Sequence, residues 1–429
     1  MYKITTGENR TKILTCFMPK VNSVAVGVWA GVGGRYEDQQ VSGISHFFEH
    51  MVFKGTKNRD YRGIKEAIEG VGGMLNAFTA EELTCFIAKV LCKHLPVAVD
   101  VLLDMVVNPL LKPADVEKER RVISEEIKMY FDLPHHLAYD RLIQLLWPNH
   151  PLGRNLAGSF ETLKNIDRQK LLNFKTDYYN PNNIIVAVCG NVKHDHIVFL
   201  ADEFFRKNKM ANEKAVKSTF PAADCLPAKT QVDFIKKDTQ QSHLCLGLHS
   251  FRRDDPARHA LMLLHIILGA NMSSRLFNEV REKKGYAYEI GTAMRRYADT
   301  GAFLVYAGIV NKNAEAAVEV ILRQLRKICR ESADKEELKR AKEYYTGHLL
   351  MGLEDTLEHM VWMGEQYMCE TGIKPAGEII ADIEKVTMAD IQAVARRIFR
   401  KARLSLVIVA TLKHNQEKTI TDLIRGFMP

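Results

Sequence analysis

Hydrophobic and polar positions in the first ninety residues follow strand-like and helix-like periods in turn. A β-branched, alternating stretch over 22–30 ends at the glycine-rich turn 31–34, which is typical of a strand and its exit. Ser42 can cap a helix that continues to about Phe53, and a second helix is expected over 62–69. Strand character returns over 83–90. The pattern therefore predicts strands on either side of a helix pair.

The middle of the chain is mainly helical until the pattern lapses. Charged and apolar residues at helical spacing predict a helix over 113–131, and another is expected to reach about Trp147. A continuous apolar run over 184–189 is typical of a buried strand. Polar residues and prolines then fill 211–228, so we expect a linker there.

Beyond the linker the elements return in a similar order. Strands are predicted over about 230–236 and 241–249, followed by a helix with Asp255 as cap and Pro256 at its first position. Two more strands and a run of helices over about 312–400 precede a final strand.

This repeated order predicts an α+β fold with two similar domains. Each is expected to be a mixed β-sheet packed with helices, which suggests an internal duplication. At 429 residues the chain also exceeds the size at which one hydrophobic core keeps growing. We expect a first domain over 1–210, the linker over 211–228, and a second domain over 229–429.

Composition excludes several classes of function. The net charge of +8 is spread along the chain, whereas a nucleic-acid interface would concentrate it on one element. The eight cysteines include no Cys-x-x-Cys pair, which favours free thiols in a reducing compartment. Because no signal-like segment and no uncharged run of 18 apolar residues occur, we expect a cytoplasmic protein without membrane spans.

Candidate chemistry lies on the helix predicted after Ser42. On a helix, His46 and His50 are one turn apart on one face, with Glu49 beside them. Two imidazoles so placed can bind one divalent ion, and imidazole suits zinc. Such a five-residue match also arises by chance, but its order is that of the inverted zinc motif H-x-x-E-H. That motif needs a third protein ligand from elsewhere, usually a carboxylate.

These residues resemble the pitrilysin and insulysin family of zinc peptidases, which includes the mitochondrial processing peptidase and bacterial single-unit members. The likeness extends over nearly the whole chain and is nearest to those two kinds of member. Glu126 matches the family's third ligand, and Glu119 matches an acidic residue two helical turns earlier on the same face. Glu125 points about a quarter-turn away and is the alternative ligand.

The resemblance implies a zinc peptidase with one Zn²⁺ per chain. It assigns the metal ligands to His46, His50 and Glu126, and the general base to Glu49. It also implies that Glu119 orients a histidine from behind.

Two further segments carry the resemblance. Residues 73–79 are similar to a family segment that contacts substrate, which implies substrate-binding roles for Asn76, Ala77, Phe78 and Thr79; the alternative is a plain turn entering a strand. Residues 272–288 are similar to the family's second-domain segment, which implies that Arg281 and Tyr288 hold the scissile peptide and its oxyanion. Without the resemblance, these two would be a surface charge and a strand residue. The chain departs from the family at 269–271, where Gly-Ala-Asn replaces three glycines and predicts a stiffer loop.

The implied function is hydrolysis of peptide bonds in short or unfolded peptides. The family also contains non-catalytic peptide-binding subunits of heterodimeric peptidases and core proteins of electron-transfer complexes. Both alternatives are weakened because all four residues of the metal motif are present. We expect a homodimer, or a heterodimer with a related subunit. The zinc site would be completed by the other chain or by the same chain's second half, and our hypothesis for the homodimer is that Arg281 and Tyr288 act in trans.

Overall fold

A computed structural model describes residues 2–208, 219–223, 229–369, 372–399 and 404–428. The chain divides into two compact units. Unit 1 contains Met1–Ile127, Arg154–Pro221 and Leu350–Lys374, and unit 2 contains Lys128–Gly153, Ala222–Leu349 and Pro375–Pro429.

Unit 1 is built on a six-stranded mixed sheet with the order β1-β2-β6-β3-β5-β4. β2 and β6 are parallel, and the other neighbours are antiparallel. The strands are β1 (Tyr2–Thr6), β2 (Lys12–Phe17), β3 (Ser23–Ala30), β4 (Met74–Thr79), β5 (Thr84–Leu91) and β6 (Ile184–Gly190).

The helices of unit 1 pack on both faces of this sheet. They are α1 (Ile44–Val52), α2 (Tyr61–Glu69), α3 (Leu95–Val107), α4 (Pro113–Asp132), α6 (Phe160–Asn165), α7 (Arg168–Tyr178), α8 (His194–Lys207) and α12 (Thr356–Cys369). The last five residues of α4, 128–132, belong to unit 2.

β3 shows why helices cover both faces. Its side chains alternate, so Val26 lies in the core beneath α1 whereas Trp29 lies in a second core with Met360 of α12. α12 approaches the sheet closely because Gly27 carries no side chain. A Cβ there would collide with the sulfur of Met360.

Unit 2 is built on a five-stranded sheet with the order β7-β11-β8-β10-β9. Its strands are β7 (Gln231–Ile235), β8 (Gln241–Ser250), β9 (Ala287–Arg296), β10 (Gly301–Val310) and β11 (Ser405–Val409). The helices of unit 2 are α5 (Pro134–Leu146), α9 (Arg258–Gly269), α10 (Ala314–Arg330), α11 (Lys335–Gly352), α13 (Ala376–Lys385), α14 (Met388–Ile398) and α15 (His414–Arg425), together with a π-helix at Phe277–Glu282.

The two sheets share one topology. When β1 is set aside, the strands of unit 1 lie side by side in the sequence order first, fifth, second, fourth, third, and those of unit 2 have the same order. In both, the first and fifth strands are parallel and the remaining pairs are antiparallel. The predicted α+β class with two similar domains is confirmed, and the shared topology is what an internal duplication produces.

The boundaries differ from the contiguous domains expected over 1–210 and 229–429. α5 belongs to unit 2 and packs on β8 and β11, whereas α12 belongs to unit 1 and packs on β3 and β6. Each unit therefore contains a helix from the other half of the sequence. The expected linker over 211–228 lies outside the described residues, apart from 219–223.

Three smaller expectations can be compared with the structure. α9 begins at Arg258 rather than Pro256, because the Asp255 carboxylate accepts from the backbone N–H of Ala257 and closes a turn before the helix. Among the described residues, no helix is long and apolar enough to cross a membrane. The cysteines of this part of the chain are all free.

Candidate metal centre

α1 positions His46, Glu49 and His50. The helix buries Phe47, Phe48 and other apolar residues against the core. The ring of Phe48 packs on that of Tyr179, with centroids 4.4 Å apart. Because this face is fixed by packing, the opposite face directs both imidazoles to one side, with ring centroids 4.6 Å apart.

Glu37, which the sequence analysis did not assign, fixes the start of α1. Its buried carboxylate accepts hydrogen bonds from the backbone N–H groups of Gly43 (2.6 Å) and Ser45 (2.9 Å). These are donors that the helix leaves unpaired, and a negative charge is favoured at this end of a helix. Burial raises the pKa of Glu37 to about 6, although these hydrogen bonds oppose the shift. The sequence signal was an acidic residue just before a helix whose own N-cap, Gly43, has no side chain.

Glu126 of α4 completes a group of three donors. Its Oε2 atom lies 3.8 Å from Nε2 of His46 and 3.6 Å from Nε2 of His50. The ligand atoms of these three residues all lie within 4.8 Å of one another. The alternative ligand, Glu125, is not part of this group, since the next helical position points in a different direction.

Glu119 contacts His50 on the side away from Glu126. Glu119 and Glu126 lie on the same face of α4. His50 Nδ1 is 3.2 Å from Oε2 of Glu119, and Lys54 Nζ is 2.6 Å from the other carboxylate oxygen. Burial raises the pKa of Glu119, but the hydrogen bonds from His50 and Lys54 outweigh it and lower the pKa overall. An ionised Glu119 can only accept a hydrogen bond, so Nδ1 of His50 carries the proton and donates to it. Nε2 of His50 then has a lone pair on the side of Glu126.

His46 is held in its neutral form. Burial, followed by the charge of His50, lowers the pKa of His46 to about 4. Its Nδ1 atom is buried without a hydrogen-bond partner, while Nε2 points to Glu126. A neutral imidazole is the form that ligates a metal.

Glu49 is half-buried beside these donors and is not one of them. Thr79 Oγ1 at the end of β4 donates a hydrogen bond of 2.5 Å to Glu49 Oε2. Burial raises the pKa of Glu49, the Thr79 hydrogen bond opposes this, and Glu126 adds a smaller upward shift. The carboxylate is therefore both oriented and made more basic than an ordinary glutamate.

β4 carries the four residues predicted to bind substrate. It is an edge strand, paired with β5 on one side, and no described strand pairs with its other side. Asn76 is exposed, whereas the ring of Phe78 packs against Trp29 at 5.7 Å. Of the four residues, Thr79 contacts Glu49 directly, which the sequence analysis did not foresee.

Arg281 and Tyr288 lie together in unit 2. Arg281 is on the π-helix, a geometry that often occurs at functional sites, and Tyr288 is on the edge strand β9. The Arg281 guanidinium carbon is 5.4 Å from the centroid of the Tyr288 ring and 4.7 Å from that of Phe277. Such distances allow a cation–π contact, and Tyr288 is exposed to solvent.

His265 of α9 is the histidine of unit 2 that the sequence analysis places in the core. His265 of α9 hydrogen-bonds through Nδ1 to Thr292 Oγ1 at 2.7 Å, so it is a satisfied core histidine. Within the described residues of unit 2, no three histidine, cysteine or acidic side chains converge as a possible metal site.

The donors of unit 1 fit a catalytic zinc site. Two neutral imidazole nitrogens and one carboxylate oxygen are a usual set for zinc that keeps one position open. The outer carboxylate of Glu119 on a ligating histidine is also typical of such sites. The three side chains are partly exposed, at 16–24%, so small molecules can reach them.

Comparison with known proteins identifies the family of this chain. Residues 12–159 match the family model described as insulinase (peptidase family M16), and residues 165–345 match the model described as peptidase M16 inactive domain. A protein of Streptomyces coelicolor named an uncharacterized zinc protease is 35% identical over 98% of this chain and 92% of its own length. One of Bacillus subtilis with the same designation is 36% identical over 93% of this chain and 96% of its own length.

Solved structures share the fold. A protease from Helicobacter pylori matches with a TM-score of 0.90 at 23% identity, over 96% of this chain and 99% of that one. A structure described as a peptidase M16 inactive domain from Pseudomonas fluorescens matches with a TM-score of 0.86 at 16% identity, over 96% and 98% of the two chains. Since two family models and full-length relatives above 30% identity agree, the chain belongs to peptidase family M16.

Proposed function

We propose that this chain is a zinc-dependent endopeptidase that hydrolyses peptide bonds in short or unfolded peptides. The observation that carries the proposal is the convergence of the ligand atoms of His46, His50 and Glu126 within 4.8 Å, beside the half-buried carboxylate of Glu49. A subunit that only binds peptides requires neither a set of metal ligands nor a general base beside them. The relatives' names as zinc proteases support the same conclusion.

Glu49 would perform the proton transfers. When bound, zinc supplies a Lewis acid that polarises a peptide carbonyl and lowers the pKa of water. Glu49 takes a proton from the attacking water and delivers it to the nitrogen of the departing amine. Its raised pKa makes it a stronger base, and Thr79 holds one of its oxygens in place.

β4 would bind the substrate as an added strand. Its open edge offers backbone donors and acceptors to an extended peptide, and Asn76 projects from it to solvent. Recognition through main-chain hydrogen bonds favours flexible peptides over folded proteins and tolerates many sequences. For Arg281 and Tyr288, we propose that they bind the scissile peptide and stabilise its oxyanion from the partner of a homodimer.

Removal of the metal should abolish cleavage without unfolding the chain. The donors are partly exposed, whereas each unit has its own apolar core. Incubation with a chelator should therefore stop cleavage of a library of unstructured peptides, followed by mass spectrometry, while far-ultraviolet circular dichroism stays unchanged. Added Zn²⁺ should restore cleavage. Peptide cleavage that continues after the chelator has removed the metal from the catalytic site would contradict the proposal.

Action in trans can be tested by mixing two inactive variants. Glu49→Gln and Arg281→Ala should each be nearly inactive alone. After equal amounts exchange subunits, half of the dimers are hybrids, and each hybrid has one intact site and one doubly damaged site. Activity should recover to about a quarter of the wild-type value. If exchange is demonstrated by mass spectrometry and no activity returns, Arg281 does not act in trans.

A further inference from the structure

A second group of potential metal ligands lies in unit 1, away from the centre on α1. Cys16 of β2 and Cys189 of β6 are direct partners in the register of these parallel strands, so both side chains point to the same face of the sheet. α12 covers this face and places His359 against them. All three residues are buried, and α1 packs on the opposite face.

The spacing of the three side chains suits tetrahedral coordination. Cys16 Sγ is 3.4 Å from Nε2 of His359, and the three ligand atoms lie within 4.8 Å of one another. With Zn–S of about 2.3 Å and Zn–N of about 2.0–2.1 Å, two ligands of a tetrahedral zinc are about 3.5 Å apart. The sulfur–nitrogen distance therefore already has the length of one edge of such a site.

The tautomer of His359 is set for ligation. Nδ1 lies 2.9 Å from the carbonyl oxygen of Leu353, which can only accept, so Nδ1 carries the proton. Nε2 is left with its single lone pair, which faces the Tyr2 hydroxyl at 2.8 Å and Cys16 Sγ at 3.4 Å. A bound ion would take the place of these two donors on Nε2. A metal-ligating histidine usually donates its other ring N–H to a carboxylate, a backbone carbonyl or water.

Charge and softness identify the class of ion. Two thiolates and one neutral imidazole balance the charge of Zn²⁺, and a neutral complex is the least costly to bury. The thioether sulfur of Met18 is 3.4 Å from Cys189 Sγ, which makes the surroundings rich in sulfur. Hard cations such as Mg²⁺ or Ca²⁺ need oxygen ligands and do not fit.

We propose that Cys16, Cys189 and His359 supply three of the four ligands of a structural zinc ion, in addition to the ion of the catalytic centre. The ion joins α12 to β2 and β6, which are more than 150 residues away from α12 in the sequence. It would be acquired during folding, because the three side chains are buried.

Cobalt provides the test, since of the two candidate sites among the described residues this one has thiolate ligands. Full-length protein should be produced in medium with Co²⁺ so that the metal is present during folding. A His46→Ala/His50→Ala variant, with the catalytic centre disabled, should retain one cobalt per chain and show thiolate-to-cobalt charge-transfer absorption in the near ultraviolet. Adding Cys16→Ser to this variant should remove that absorption.

Cys85→Ser is the matched control, because Cys85 is a buried thiol in the same core but is not part of the cluster. It should leave the absorption unchanged. If Cys16→Ser fails to fold, His359→Gln in the same background should lower the charge-transfer intensity and the cobalt content. No cobalt in the His46→Ala/His50→Ala variant, or a Cys16–Cys189 disulfide in the intact mass, would overturn the proposal.

Discussion

Replacing Glu49 by glutamine should lower kcat by about 10²–10⁴-fold while the catalytic zinc stays bound. Glutamine has nearly the same shape but cannot take a proton at neutral pH. Glu49 also lies outside the donor group of His46, His50 and Glu126. Zinc content and the circular dichroism spectrum should therefore match those of the unmodified protein, and the loss should appear in kcat rather than in metal affinity.

Thr79→Val is the companion variant for this experiment. It removes the hydrogen bond to Glu49 but leaves the carboxylate, so we expect a smaller loss, on the order of tenfold. If Glu49→Gln loses its zinc instead, Glu49 is a ligand and the assignment of the base is wrong. Full activity of Glu49→Gln would equally remove Glu49 from the mechanism.

The local part of the centre could be predicted from sequence because it depends on one short helix. Helical spacing alone places His46 and His50 on one face. The third ligand could not be predicted in this way, since it lies on α4 and a periodic pattern does not give the rotation of one helix against another. The residues alone required only a carboxylate from elsewhere in the chain. Glu126, with Glu125 as the alternative, came from the family resemblance. The structure places Glu126, not Glu125, beside both imidazoles.

The boundaries of the units could not be predicted for a related reason. The apolar faces of α5 and α12 predict that each helix is buried, but not which sheet it covers. A contiguous division was the simplest expectation, whereas α5 packs in unit 2 and α12 in unit 1. The repeated order of elements was predictable because each strand has its own local pattern. The order of the strands within each sheet comes only from the structure.

Contacts that depend on three-dimensional packing were missed altogether. Glu37 caps α1 from a turn outside the helix, and Lys54 pairs with Glu119 from another element. Cys16, Cys189 and His359 lie on three elements far apart in the sequence, and no spacing rule connects them. Only the register of β2 with β6 and the packing of α12 bring these three side chains together.

Replacing each of three glutamates of α4 by glutamine should affect the zinc affinity of the catalytic centre to a different extent. Glu126→Gln replaces a charged ligand by a neutral amide, so the affinity of the catalytic centre should fall by more than about 100-fold. Glu119→Gln keeps a hydrogen-bond acceptor for His50 but loses the charge, and a fall of about 10–100-fold is expected for such an outer partner. Glu125→Gln is the matched control, one residue from the ligand on the same helix, and should bind zinc like the unmodified chain.

Competition with a coloured chelator measures these affinities, with Cys16→Ser included in every variant so that the catalytic centre is observed alone. The expected order follows from distance: Glu126 Oε2 lies 3.6–3.8 Å from both Nε2 atoms, whereas Glu119 contacts the far nitrogen of His50. Glu126→Gln and Glu125→Gln are both isosteric and lie on the same helix. A loss of zinc affinity in Glu126→Gln but not in Glu125→Gln can therefore be attributed to ligation rather than to helix stability. If Glu125→Gln loses the zinc and Glu126→Gln keeps it, α4 presents its other carboxylate to the metal in solution.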